Sequence, residues 1–298
     1  MQPLKVTDLV IGKWPGVLTA FGVPPNFLTG KHGPCPMCGG KDRARFDNKD
    51  GRGTFFCSHC GAGDGWKFLK LLKGWDFREA AREVEKIIGG VEFSPVPRRE
   101  DDSVLRQRMK TAWGLAGPIE PGDIVDRYFR GRGIALEKFP WCLRRDGNFL
   151  IAVLSAPDGT GSSILRTELA PDGSKRLTRK FMPGKIAKGS AVRLARQNGI
   201  LGIAEGIETA LSAGILFGIP TWAAGNTTLL TQFQVPDGVE KVVIFGDNDR
   251  SFGGGAAAFS LAHRLACGSR KIEISIEIPD GVGTDWNDKL KSHDNEKM

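Results

Sequence analysis

The sequence predicts an α/β protein, α+β taken as a whole, with a small cysteine-clamped sheet in front and a parallel sheet flanked by helices behind. Three observations carry that reading. Two Cys-x2-Cys pairs, Cys35/Cys38 and Cys57/Cys60, stand 18 residues apart. The last third alternates short apolar runs with helical periods. Between them, two β-rich runs flank a turn rich in Pro, Asp and Gly. The length of 298 residues suits about two domains at the usual ~100–200 residues each. No run of ~18 apolar residues occurs, and the first residues lack the apolar core of a secretory signal, so the expected setting is the cytoplasm, with no membrane contact.

The cysteines come first in the chain. Each Cys-x2-Cys pair can place two thiolates on one ion from a tight turn, and Gly39-Gly40 and Gly61 let backbone N–H groups face the sulfurs. Two disulfides are the alternative, which a reducing compartment disfavours. One structural Zn²⁺ on Cys35, Cys38, Cys57 and Cys60 is expected, with His32 and His59 outside the ligand set. Cys142 and Cys267 read as small core residues. Residues 41–47 alternate as a strand, and Thr54-Phe55-Phe56 forms the next, giving a zinc ribbon. Alternation puts Arg43 and Arg45 on one face. With Phe46, Phe55 and Phe56, they supply the cations and rings that a single-stranded nucleic acid platform needs, although at least one of the three rings should be core. Helices follow at Trp66–Leu72 and Phe77–Ile88, the second capped by Asp76.

The Pro-rich, charged stretch from Phe93 to Asp102 predicts a linker, so the expected domains are 1–92, a linker at 93–103, then 104–195 and 196–298. Helices are expected at Val104–Leu115 and Gly122–Arg130, the latter capped by Asp123, and a strand at Phe149–Ser155. Ser163–Leu169 should pair with Arg176–Phe181 as a hairpin. Its cations, Arg166, Lys175, Arg176, Arg179 and Lys180, suit template phosphates or a triphosphate. They equally suit an exposed hairpin. Gly184–Ser190 lacks the G-x-x-x-x-G-K-[ST] order, which excludes a P-loop motor.

Charge is unevenly placed. Residues 1–90 hold 14 basic and 9 acidic side chains, residues 91–195 hold 19 and 12, and residues 196–298 hold 9 and 13. The net charges are therefore +5, +7 and −4. A basic front suits a polyanion, and an acidic rear tolerates one only where divalent cations neutralise the carboxylates. Strands are expected at Gly199–Ala204, Pro220–Ala223, Val239–Phe245 and Ile272–Ile278, with helices after Glu205 and over Gly253–Ala266. Ligands of such sheets sit beyond the strands' carboxyl ends, where Glu205 and the pair Asp247/Asp249 fall. Residues two apart in extended chain point the same way, so the two aspartates can converge on Mg²⁺ or Mn²⁺. A further acidic cluster, Asp285 and Asp288, follows the last strand. One or two cations there can serve phosphoryl transfer, with Glu205 as general base or ligand.

This constellation resembles the Toprim domain of bacterial primases, topoisomerases and some nucleases, through Glu205-Gly206, Asp247-x-Asp249 and Asp285. The segment from Cys35 to Gly65 looks like the zinc ribbon of phage and plasmid primases and primase-helicases. Ribbon followed by Toprim is the domain order of DnaG-type primases. The resemblance implies short RNA primers made from NTPs on a single-stranded DNA template for a phage, plasmid or other mobile element. It implies Glu205, Asp247 and Asp249 as catalytic residues, and Mg²⁺ held by these three and Asp285. Glu208 and Asp288 are further candidates, and Arg166, Lys175, Arg176, Arg179, Lys180 and Arg250 would contact phosphates. Many relatives continue into a helicase; this chain is either a stand-alone primase or a fragment, and a replicative helicase acting in trans is expected. A Toprim nuclease and a non-catalytic single-strand-binding adaptor are the alternatives.

Overall fold

A computed structural model describes residues 6–91 and 101–296. Two compact units divide between Arg99 and Glu100. Most of the expected linker at 93–103 lies outside the described residues. Its end differs from expectation: a helix already starts at Asp102, because the Asp101 carboxylate accepts the Ser103 N–H at 2.7 Å and caps it.

In the first unit, helices α1 (Val6–Leu9) and α2 (Trp14–Ala20) precede a sheet of four short strands. These are β1 (Gly33–Cys35), β2 (Gly39–Phe46), β3 (Phe55–Cys57) and β4 (Gly61–Gly63), antiparallel in sequence order. Helices α3 (Gly65–Lys73) and α4 (Phe77–Ile87) close the unit. Asp64 caps α3 through the Lys67 N–H, and Asp76 with Glu79 makes a reciprocal capping box on α4. Phe27, Phe46, Phe55, Phe68, Leu69 and Val84 form the core. Residues 6–30 carry no motif, yet Trp14 makes them part of this core. Its ring lies so close to the backbone that a Cβ at Gly65 would stand 2.2 Å from it, and one at Gly53 2.6 Å. Of the three phenylalanines weighed as platform or core, Phe46 and Phe55 are buried, and Phe56 is 42% exposed.

The second unit opens with α5 (Asp102–Leu115) and α6 (Ile124–Arg130), whose cap is Asp123. An antiparallel sheet follows: β5 (Leu143–Asp146), β6 (Phe149–Ser155), β7 (Gly161–Leu169) and β8 (Arg176–Phe181), in sequence order. The remainder contains β9 (Ile200–Ala204), α7 (Ile207–Phe217), β10 (Thr221–Ala223), α8 (Thr227–Thr231) and β11 (Lys241–Phe245). It ends with α9 (Gly253–Ala266), β12 (Glu273–Glu277) and α10 (Trp286–Glu296). The strand order is β10-β9-β11-β12, and every pairing is parallel. Leu201, Ile203, Val242, Ile244 and Phe245 are buried, the near-continuous apolar signature of a sheet covered on both faces.

One hydrophobic core joins the two sheets. Leu150, Ala152, Leu154, Leu165 and Leu169 face it together with α6, β9 and β11 residues. Ile151 and Ile164 point the other way and pack under Met109 of α5. This alternation fixes which cations of the hairpin face the parallel sheet. The register also levels the strand ends: Ala204 pairs with Phe245, and Phe245 with Glu277. Glu205 and Gly246-Asp247 therefore leave adjacent strands side by side.

Candidate functional site

In the first unit the four cysteine sulfurs lie within 4.8 Å of one another. Cys35 and Cys60 Sγ are 4.0 Å apart and Cys38 and Cys57 Sγ 3.7 Å, with no disulfide. A tetrahedral zinc with ~2.3 Å bonds needs sulfur–sulfur edges of about 3.8 Å, so the four thiols fit a structural zinc. Burial works against the Cys57 thiolate. The N–H groups of Cys60 and His59, each 3.4 Å from its sulfur, outweigh that and bring the thiol down to about 7.

Arg43 and Arg45 share the outer face of β2, while Ala44 and Phe46 are buried behind it. Arg45 sits opposite the exposed Phe56 in the strand pairing. It is also tied to Asp47 and lies 3.2 Å from His32 Nε2, so its guanidinium is held in place. Arg43 folds over Gly40, where a Cβ would stand 2.1 Å from Nε.

The acids gather at the carboxyl ends of β9 and β11. Asp247 has a buried oxygen, Oδ1, with no partner. Burial first, then the charges of Asp285, Glu205 and Asp249, push its carboxyl up to about 7. Burial also raises Glu205, opposed by Arg179, whose guanidinium is 3.9 Å from the carboxylate. Asp249 differs. Its carboxylate takes hydrogen bonds from the Ser251 hydroxyl and the N–H groups of Gly254, Gly253 and Ser251, which hold it below the usual range. Asn248 pairs with Thr284 as an isolated bridge, which ties the loop after β11 to the loop carrying Asp285.

The acids do not close around a point. Among the described residues, the cysteine group alone brings three or more such ligand atoms within 4.8 Å of one another. The loop N–H groups hold the Asp249 carboxylate to its own loop. An unpartnered buried oxygen among like charges is nevertheless the setting that a hard divalent cation relieves, so this donor set fits one.

Other expectations change. Glu208 is buried, and it accepts the Tyr128 O–H at 2.7 Å and lies 3.8 Å from Arg176. Its carboxylate braces the Tyr128 hydroxyl and Arg176. Burial opposes its charge, but the Tyr128 hydroxyl, its own backbone N–H and the two arginines hold it below the usual range. Asp288 and Asp285 trade backbone N–H bonds at 3.1 and 2.9 Å, which makes Asp288 the capping partner at the start of α10. Cys267, expected in the core, is exposed, with Sγ 3.6 Å from His263 Nε2, because helix α9 turns that end outward; Cys142 is buried as expected.

The basic hairpin splits in two. Arg179 lies opposite Thr167, on the face toward the acids, and a bulge at Glu168/Leu169 shifts the register so that Arg176 reaches Glu208. Arg166 and Lys180 pair on the opposite face, and Arg166 stacks 4.3 Å from the Phe149 ring centre and pairs with Asp146 at 4.0 Å. Lys175 and Arg250 are exposed, the first just before β8 and the second after Asp249. Sequence reading passed over Tyr128 and Asn287. Asn287 is 1% exposed and joins α10 to the Arg132 carbonyl and the Ser212 hydroxyl at 2.7 and 3.0 Å. Its place in Asp285-Trp286-Asn287-Asp288, one step from an acid, is the signal that could have marked it.

Residues 200–296 match the family model for the Toprim domain, and residues 30–66 match that for the zinc-binding domain of primase-helicase. The chain thus joins a primase zinc ribbon to a Toprim domain, the domain composition of a DnaG-type primase. It is similar to the Aquifex aeolicus primase zinc-binding and RNA polymerase domains at 16% identity, TM-score 0.43, over 99% of this chain and 84% of that one. A DNA primase domain from Pseudomonas aeruginosa is 12% identical at TM-score 0.44, covering 65% of this chain and 77% of that one. A DnaG primase catalytic domain bound to single-stranded DNA is 15% identical at TM-score 0.41, covering 65% and 76%. No helix among the described residues is long and apolar enough to cross a membrane.

Two outcomes follow from the geometry. A structural zinc supplies roughly 10–16 kcal/mol of apparent binding energy, so chelation should unfold the ribbon. Limited trypsin digestion should then cut within residues 30–66 while 101–296 resists; an unchanged digest contradicts this. The second outcome concerns the zinc-loaded protein with no other divalent cation added. Asp247 has a raised folded-state pKa, so its contribution to stability is fully present below the ordinary carboxylate pKa and is lost as pH rises through about 7. Asp247→Asn should therefore melt roughly 5 °C above wild type at pH 8, with the gap narrowing toward pH 5. A gap independent of pH contradicts it.

Proposed function

We propose that this protein is a DNA primase, a nucleotidyltransferase that makes short RNA primers from NTPs on single-stranded DNA. One observation carries the reading: a primase-type ribbon shares a chain with a Toprim sheet whose rim gathers Glu205, Asp247, Asp249 and Asp285 under Arg179. The ribbon face of Arg43, Arg45 and Phe56 suits unpaired template bases and phosphates.

Glu205, Asp247, Asp249 and Asp285 are the groups that would hold Mg²⁺ or Mn²⁺. A bound cation there supplies charge neutralisation and Lewis acidity for phosphoryl transfer. Glu205 is set to take the proton of the attacking 3′-hydroxyl, since burial raises its carboxyl toward a useful basicity. Arg179 and Arg176 offer guanidinium donors to the phosphates of the nucleotide. Tyr128 and Glu208 keep Arg176 aimed from behind. Arg250 and Lys175 extend the positive field along the exposed rim, and Arg166 and Lys180 serve the far face of the hairpin. Replication of a phage, plasmid or other mobile element, a helicase acting in trans and a cytoplasmic setting complete the proposal.

The test is a primer-synthesis assay with labelled NTPs, Mg²⁺ and a random single-stranded template library. Short template-dependent RNA should appear, and Asp247→Ala or Glu205→Gln should lower it by a factor of about 10² or more. Loss of labelled DNA without NTPs would mark a nuclease instead. DNA binding that depends on Cys57 and the ribbon arginines but yields no product would mark an adaptor.

A further inference from the structure

The loop after β11 holds a side chain that the acid cluster does not use. Phe252 is 76% exposed, and its backbone lies in the left-handed region at φ 59°, ψ 13°. A residue with a Cβ occupies that region at a cost, whereas glycine does not. Gly253, Gly254 and Gly255 follow directly, yet the strained position itself holds phenylalanine.

This ring is carried on a braced loop. The Phe252 N–H donates to the Asp249 carbonyl at 3.0 Å. The Asp249 carboxylate accepts the N–H groups of Ser251, Gly253 and Gly254 at 2.9, 3.1 and 2.7 Å, so both flanks of Phe252 are fixed to an acid of the site. The companion loop, joined through Asn248 and Thr284, leads to Asp285 and presents Val282, 67% exposed. A single apolar group on a surface needs no explanation. Here the loops that carry Asp249 and Asp285 each present one, and the larger stands on strained backbone, the kind of outlier that clusters at functional sites.

We propose that Phe252 is a stacking platform for an unpaired nucleobase at the rim of the acid cluster. This deepens the primase reading and rests on it. Every base has a π-face, so an exposed ring can hold a nucleotide without reading its edge. The ring lies three residues beyond Asp249, which leaves the phosphates of the same nucleotide free to lie toward the acids and Arg179. The base can belong to a mononucleotide or to a single strand; the chemistry is the same for both.

The experiment uses the full chain with Mg²⁺. ATP binding is read by calorimetry, and binding of a fluorescein-labelled oligothymidylate by anisotropy over a series of salt concentrations. Phe252→Gly should melt no lower than wild type, because it relieves the backbone, and should bind one or both ligands about tenfold more weakly. Phe252→Trp should keep wild-type affinity. The slope of affinity against salt should stay unchanged for the oligomer, since stacking releases no counterions. Loss confined to ATP assigns the base to the mononucleotide, and loss confined to the oligomer assigns it to the strand; either supports the platform. Wild-type affinity for both ligands in Phe252→Gly overturns the inference and leaves the primase reading standing. So does a lower melting temperature in Phe252→Gly. Failure of the wild-type protein to bind either ligand overturns both.

Discussion

Crowding of carboxylates at the rim of a parallel sheet is the constraint on which the site of the second unit depends. Asp247 sits half-buried at the end of β11, facing the charges of Asp285, Glu205 and Asp249, with one buried oxygen unpaired. A fold keeps such a cluster only where something else neutralises it. Arg179 does part of this within the chain, at 3.9 Å from Glu205. The remainder would fall to the divalent cation proposed for this site. Asp249 is the exception that makes the cluster tolerable, because its charge is already shared among loop N–H groups.

The surrounding structure serves that rim. Parallel pairing levels the ends of β9 and β11, so two acids distant in sequence emerge as neighbours. A bulge in the β7–β8 ladder turns two arginines of one strand toward the acids, where strict alternation would send them to opposite faces. Tyr128 and Glu208 brace the first of them from the core. Asn287 ties the start of α10, and with it the segment carrying Asp285, to α7. The zinc ribbon works differently: four thiols placed to hold one ion clamp its two turns beside a core of Phe46, Phe55 and Phe68.

Much of this was legible in the sequence, for physical reasons. Cys-x2-Cys spacing is local, so the four thiols could be assigned without the fold. Near-continuous apolar runs with helical segments between them mark buried parallel strands, and acids placed just after two of those runs mark the ligand end. What stayed hidden depends on long-range packing. Residues 6–30 have no pattern of their own, and Trp14 gains its place only against Gly53 and Gly65. The strand period could not show the bulge that brings Arg176 and Arg179 to one side and leaves Arg166 with Phe149. Glu208 and Asp288 look like ligands because they are acids near acids. Burial against Tyr128 and a cap on α10 give them other roles. Cys267 was misjudged because cysteine is usually buried, and one turn of α9 decided otherwise.

The most direct measurement is the paramagnetic signal of free Mn²⁺ during titration of the zinc-loaded protein at pH 8. The account predicts saturable binding of one or two ions, weakened at least tenfold in Glu205→Gln and Asp247→Asn and unchanged in Asp288→Asn, with all variants folded. A folded protein that leaves Mn²⁺ free, or that binds it equally in every variant, would contradict the claim that these carboxylates form a cation site.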